Sequence, residues 1–152
     1  MTPTYEYPRP MVTVDALVFR EAAAQAPPEV LLIRRKRPPF EGLFAIPGGF
    51  VEIDEDLEPA AHRELEEETG LAGLRLEQLR TYGRPGRDPR GRTISVVYAG
   101  TCPPGTTAEG RDDAAEARWF STAALPPLAF DHAEILKDGI DWYARRRASR
   151  TA

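Results

Sequence analysis

Short apolar runs alternate along the chain with polar breaks marked by proline and glycine. "MVTVDALVFR" at 11–20 is nearly apolar on both faces, which predicts a central strand covered on both sides. "VLLIRRK" at 30–36 predicts a second strand ending in charge, and "RPPFEGLFAIPGG" reads as a long loop with Pro and Gly at turn spacing. A helix is then predicted from an N-cap at Asp56, with Pro59 in its first turn, to Gly70, a residue suited to the left-handed position that ends a helix. "LRLEQLRTYG" (74–83), "RTISVVYAGT" (92–101) and "EARWF" (116–120) predict three further strands. A last helix runs from Asp131, with Glu134 as a capping-box partner, to about Arg147; Leu136, Ile140 and Tyr143 form its apolar stripe. Interleaved strands and helices imply a mixed α/β or α+β domain with helices covering a sheet.

With 152 residues, the chain is long enough for one domain with its own core. Its net charge of -4 and pI near 5.3 argue against nucleic acid or a membrane surface as partner. Cys102, the only cysteine, excludes an intramolecular disulfide and reads as a small buried hydrophobe. No apolar run reaches membrane-span length, and "MTPTYEYPRP" lacks the pattern of a signal peptide, so a cytoplasmic location is expected. Pro3, Pro8 and Pro10 make residues 1–10 an extended arm before a domain at 11–150.

Charge is distributed unevenly. Glu64, Glu66, Glu67 and Glu68 crowd the first helix, although like charges four apart destabilise one. Glu64, Glu67 and Glu68 fall at i, i+3 and i+4, so their carboxylates share one side, while Glu66 points elsewhere. Ala60 and Ala61 leave room for the preceding loop, and Gly48 and Gly49 let a backbone carbonyl come close. Carboxylates with a carbonyl suit a hard cation such as Mg²⁺. Arg63 is spaced to pair with Glu67 or Glu55 when no metal is bound. A solvated acidic face would account for the charge run equally simply.

The spacing favours the metal reading. Gly49, Glu55, Arg63, Glu64, Leu65, Glu67, Glu68, Gly70 and Leu71 match the signature box of the Nudix hydrolases, and "AIPGGFVE", "RTISVVYAG" and "EARWF" around it also resemble the family. The resemblance implies an α/β/α sandwich around a mixed β-sheet and hydrolysis of a nucleoside diphosphate linked to another group, using Mg²⁺ or Mn²⁺. It implies Glu64 and Glu68 as principal metal ligands, Glu67 in support, the Gly48 carbonyl completing the shell, and Arg63 with Glu55 as a structural ion pair. For the general base it points to a loop carboxylate ahead of "ARWF": Glu109, Asp112, Asp113 or Glu116, with Asp112 and Asp113 favoured.

"YGRPGRDPRGRT" carries Arg84, Arg87, Arg90 and Arg92, whose forked guanidiniums suit phosphate oxygens, though a solvated hairpin loop would have the same composition. Arg35, in "RRKR", is a further candidate phosphate contact. The "RDPRG" segment resembles Nudix enzymes acting on ADP-ribose, which implies ADP-ribose pyrophosphatase activity giving AMP and ribose 5-phosphate. The alternatives are a Nudix enzyme for 8-oxo-dGTP or dinucleoside polyphosphates, and a nucleotide-sensing module without catalysis. Tyr82 and Tyr98 offer either a base stack or core packing; His62 and His132 read as structural or solvated. The resemblance also implies a homodimer that the N-terminal arm could help to form.

Overall fold

The computed structural model describes residues 2–151. Strand β1 (Met11–Arg20) is the spine of the fold, and β2 (Glu29–Arg35) pairs with it antiparallel. The segment expected to be a long loop contains two short strands, β3 (Phe44–Ala45) and β4 (Gly48–Phe50). At two and three residues they are too short to show a period in the sequence. β3 joins β2, and β4 lies along β1 with Gly48 opposite Asp15 and Phe50 opposite Thr13. Helix α1 (Leu57–Thr69) leads to β5 (Glu77–Tyr82) and β6 (Thr93–Cys102), then to β7 (Ala114–Ser121) and helix α2 (His132–Thr151). The β1–β6 pairing is parallel, from Met11 opposite Thr93 to Arg20 opposite Cys102, and the other pairings are antiparallel. The result is one mixed seven-stranded sheet.

Both faces of β1 are covered, as its unbroken apolar character requires. Val14, Ala16 and Val18 pack on one side with Ala60, Ala61 and Leu65 of α1. Leu17 and Phe19 point the other way, toward Ile135 and Leu136 of α2, with Ile140, Trp142 and Tyr143 at the margin. Burying each leucine of these layers contributes about 1.5–3 kcal/mol before the entropy cost of ordering it. The architecture is therefore the α/β/α sandwich. Tyr82 and Tyr98 are each 6% exposed and Cys102 is buried, so all three belong to the core.

The ends of α1 follow from its sequence. The Asp56 carboxylate accepts the Leu57 N–H at 2.7 Å, and Gly70, at φ 78°, returns its N–H to the Glu66 carbonyl. α2 starts differently from the expected capping box. The Asp131 carbonyl accepts from the Glu134 and Ile135 N–H groups, but the Asp131 and Glu134 carboxylates face Arg87 and Arg84 instead. No helix among the described residues is long and apolar enough to cross a membrane.

Candidate active site

Where β4 runs into α1, the two glycines bring the backbone against the acidic helix face. The Gly48 N–H donates to the Glu68 carboxylate at 3.2 Å. A Cβ on Gly49 would fall 2.5 Å from the Glu64 carboxyl group, and one on Gly48 would strike the Val14 carbonyl and Asp15. Arg63 ties this corner together. Its Nε donates to Glu55 at 2.9 Å, and its Nη1 to Glu64 at 2.9 Å and Glu67 at 3.2 Å; its Nη2 donates to the Phe50 carbonyl at 3.2 Å and also to Glu55.

Glu68 is 8% exposed, and burial, reinforced by the nearby Glu64 charge, pushes its carboxyl up to about 8. Burial also raises Glu64, against the pull of Arg63. Glu55, hydrogen-bonded to Arg63 and to the Glu52 N–H, is held down at about 2. The arrangement sets two desolvated, mutually repelling carboxylates beside one that is fully compensated.

Glu64 and Glu68 line a cleft of about 380 Å³, which Glu55 does not reach. Glu64, Glu68, Gly48, Arg63, Arg35, Arg87, Arg90 and Asp113 all reach it. Glu67 and Asp112 do not: they flank a shallower depression on the far side of Arg63, with Glu66 and Arg111. Asp113 sits at the cleft mouth, 3.7 Å from Arg37, whereas Glu109 pairs with Arg111 and Glu116 with Arg34. Arg84 lies outside the cleft, exposed and paired with Glu134 at 3.1 Å; Arg92 donates to the Gly83 carbonyl. Of the four loop arginines, the structure brings Arg87 and Arg90 to the cleft.

Both of these are held in place. Arg87 forks onto Asp131 at 2.8 and 2.7 Å, with only 4% of its side chain exposed. Arg90 grips the buried Asp88, whose carboxylate also accepts the Arg90 N–H. The Arg90 guanidinium lies 4.7 Å from the ring centre of Phe50 and 5.2 Å from that of Phe130, and Arg35 lies 5.0 Å from Phe130.

Asp15 is a cleft residue that the sequence reading did not single out. Asp15 stands in mid-β1, buried, accepting a hydrogen bond from Ser95; burial raises it to about 6. The lone acid within "MVTVDALVFR" was its signal, because an unpaired charge is costly inside an apolar strand. His132 was expected to be structural or solvated. It is buried, its Nδ1 accepts the Ile46 N–H at 3.0 Å, burial lowers it to about 4, and it also borders the cleft.

The sequence matches the NUDIX domain over residues 9–142. The chain belongs to the Nudix family. It is 45% identical over 136 residues to the ADP-ribose pyrophosphatase of Methanocaldococcus jannaschii, covering 90% of this chain and 76% of that protein. It is 35% identical to the ADPR responsive transcriptional repressor NtrR of Acinetobacter baylyi over 87% of this chain, and spans about half that repressor's length (54%). Among solved structures, a MutT/nudix family protein of Enterococcus faecalis superposes with TM-score 0.84 at 33% identity, covering 95% of this chain and 66% of that one. The NUDIX domain of Shewanella oneidensis NrtR, complexed with ADP ribose, superposes with TM-score 0.81 at 32% identity, covering 93% and 90%. This Nudix protein is a hydrolase acting on phosphoanhydride bonds.

Nudix hydrolases generally use divalent metal ions. Among the described residues no three His, Cys, Asp or Glu side chains gather into a cage that would hold one unaided. The donor set still fits Mg²⁺, which is commonly bound through one or two carboxylates and completed by waters and substrate phosphates. Glu64 and Glu68 supply two desolvated oxygen donors whose mutual repulsion a cation would relieve.

Proposed function

We propose that this Nudix hydrolase cleaves ADP-ribose to AMP and ribose 5-phosphate with Mg²⁺, Mn²⁺ serving as a substitute. One observation carries the reaction class: a single cleft holds the buried acid pair Glu64 and Glu68 and, with them, Arg35, Arg87 and Arg90. A diphosphate needs both sets, cations to neutralise its oxygens and acids to hold the metal that activates it. The choice of ADP-ribose is supported by the 45% identity to an ADP-ribose pyrophosphatase.

In this reading Glu64 and Glu68 would hold the metal and the Gly48 carbonyl would complete the shell, while Glu67, outside the cleft, acts only through its hydrogen bond from Arg63. When bound, Mg²⁺ neutralises the diphosphate and polarises its phosphorus–oxygen bonds. Arg63, itself anchored by Glu55, orients the Glu64 carboxylate. The outward edges of Arg35 and Arg90 take phosphate oxygens. Of the two favoured base candidates, Asp113 reaches the cleft, and its carboxylate takes the proton from the attacking water. As that oxygen bonds to one phosphorus, the bridging bond breaks and the second phosphate leaves as a monoester.

The similarity to a repressor responsive to ADPR favours one rival, a sensor that binds the nucleotide without cleaving it. The complete set of box residues speaks for catalysis. Turnover of a nucleotide panel in Mg²⁺ tests both readings. ADP-ribose should give the highest kcat/KM; a strong preference for 8-oxo-dGTP or a dinucleoside polyphosphate would reject it, and binding without release of any monophosphate would favour the sensor.

We further take the protein to be cytoplasmic and homodimeric, with residues 1–10 an arm that reaches a second copy. Tyr5 and Tyr7 on that arm are exposed, at 51% and 72%. Sedimentation of the full chain against a chain lacking residues 1–10 tests the arm's part in assembly.

A further inference from the structure

A second cavity, of about 520 Å³, is larger than the cleft and lies at the other end of β1. From Asp15 in the cleft to Glu21 at the cavity, the extended chain covers about 20 Å. Its place follows from the topology. β1 and β6 run parallel and finish side by side, with Arg20 opposite Cys102. Beyond the carboxyl ends of such strands the chain segments part, and open α/β sheets commonly receive ligands in the crevice left there. Glu21, Thr101 and Cys102 line the cavity from the sheet, and the last turns of α2 line it from the helix.

The lining divides by chemistry. Tyr143 with Pro103 and Pro104 supplies an apolar wall. Arg146, Arg147 and Arg150 supply three guanidiniums against one lining acid, Glu21, which pairs with Arg147 at 3.2 Å. This local positive excess stands in a chain whose net charge is -4. Arg146 and Arg150 are four apart on the helix, a spacing at which like charges repel. The negative end of the α2 dipole favours cations here, which accounts for the charge but not for the cavity beside it. Arg146 donates to Glu77 at 3.1 Å, yet its Nε is buried with no hydrogen-bond partner among the described residues. An unmet buried donor is costly, and an oxyanion received by this side chain would meet it.

We propose that this cavity is a second ligand site, distinct from the cleft, for a small phosphomonoester that carries a flat or apolar group. Its phosphate is taken by Arg146 and Arg150, because forked guanidiniums match phosphate oxygens. The remainder of the ligand lies against Tyr143 and the two prolines. A volume of about 520 Å³ suits a small organic molecule and would be underfilled by inorganic phosphate alone.

Calorimetry of the full chain in chelator, with phenyl phosphate, inorganic phosphate and phenol as probes, tests the site. Phenyl phosphate should bind more tightly than inorganic phosphate, and phenol should not bind. R150Q, an exposed change that should leave the melting temperature alone, should weaken phenyl phosphate about tenfold. R146Q/R150Q should weaken it further, and if that variant melts early, R150Q decides alone. R35Q/R90Q, which strips two arginines from the cleft, should keep one site of unchanged affinity. Absence of binding to the wild type, equal binding to R150Q, or loss of binding in R35Q/R90Q overturns the proposal. Inorganic phosphate binding as tightly as phenyl phosphate overturns the monoester and leaves a site for the free ion.

Discussion

The Glu64 carboxyl group stands 2.5 Å from the point where Gly49 would carry a Cβ. The far end of a flexible side chain can give way there, so Gly49→Ala should displace the carboxylate and leave the fold intact. We expect kcat/KM to drop about 100-fold, the scale of an ångström-size misplacement, with little change in melting temperature. Gly48→Ala should do the reverse. Its Cβ meets the Val14 carbonyl and Asp15 main chain, neither of which can move without unpairing β4 from β1, so the melting temperature itself should fall.

Glu68 links the acid pair to stability. Its carboxyl is ordinary in the unfolded chain but raised to about 8 when folded, so the folded state holds the extra proton between about pH 4.5 and 8. This favours folding at low pH, and the advantage is lost as pH rises through 8. In chelator, Glu68→Gln should match the wild type near pH 5 and melt at progressively higher temperature than it toward pH 9. Adding Mg²⁺ should raise the melting temperature of the wild type and not of the variant, and turnover by the variant should fall at least about 100-fold.

The Arg87–Asp131 fork pins the arginine loop to the start of α2 with both partners nearly out of solvent. Asp131→Ala strands a buried guanidinium and should cost about 3–5 kcal/mol in denaturant unfolding. Removing Arg87 as well should cost much less than the sum of the two single losses, because no charge is then left without its partner.

His132 supplies a pH dependence of opposite sign. Its folded value near 4 lies below the ordinary 6.5, so between these the unfolded chain binds more protons and stability falls as pH drops. The difference in unfolding free energy between the wild type and His132→Gln should shrink by on the order of 3 kcal/mol from pH 7 to pH 4. A constant difference would mean that the ring is not held neutral. Asp15 and Glu68 titrate in both proteins and cancel from the comparison.

The elements that repeat a pattern were readable in advance. β1 declared itself by ten residues of near-continuous apolar character, and α1 by a cap, a period and a terminal glycine. The box was legible because its carboxylates follow helical spacing, although Glu67 turns toward Arg63 instead of joining Glu64 and Glu68 in the cleft. The loop arginines were not separable by sequence. Arg84, Arg87 and Arg90 differ only in which carboxylate receives them, and Glu134, Asp131 and Asp88 are assigned by the tertiary fold. β3 and β4 were invisible because pairing with longer strands, rather than any local preference, makes them strands.

Purified full-length protein mixed with ADP-ribose, in Mg²⁺ and in parallel with excess chelator, tests the central claim most directly. Chromatography should show AMP and ribose 5-phosphate appearing in equal amounts with Mg²⁺ and neither product with chelator. Intact ADP-ribose in both samples, or equal cleavage with the metal removed, would contradict the account.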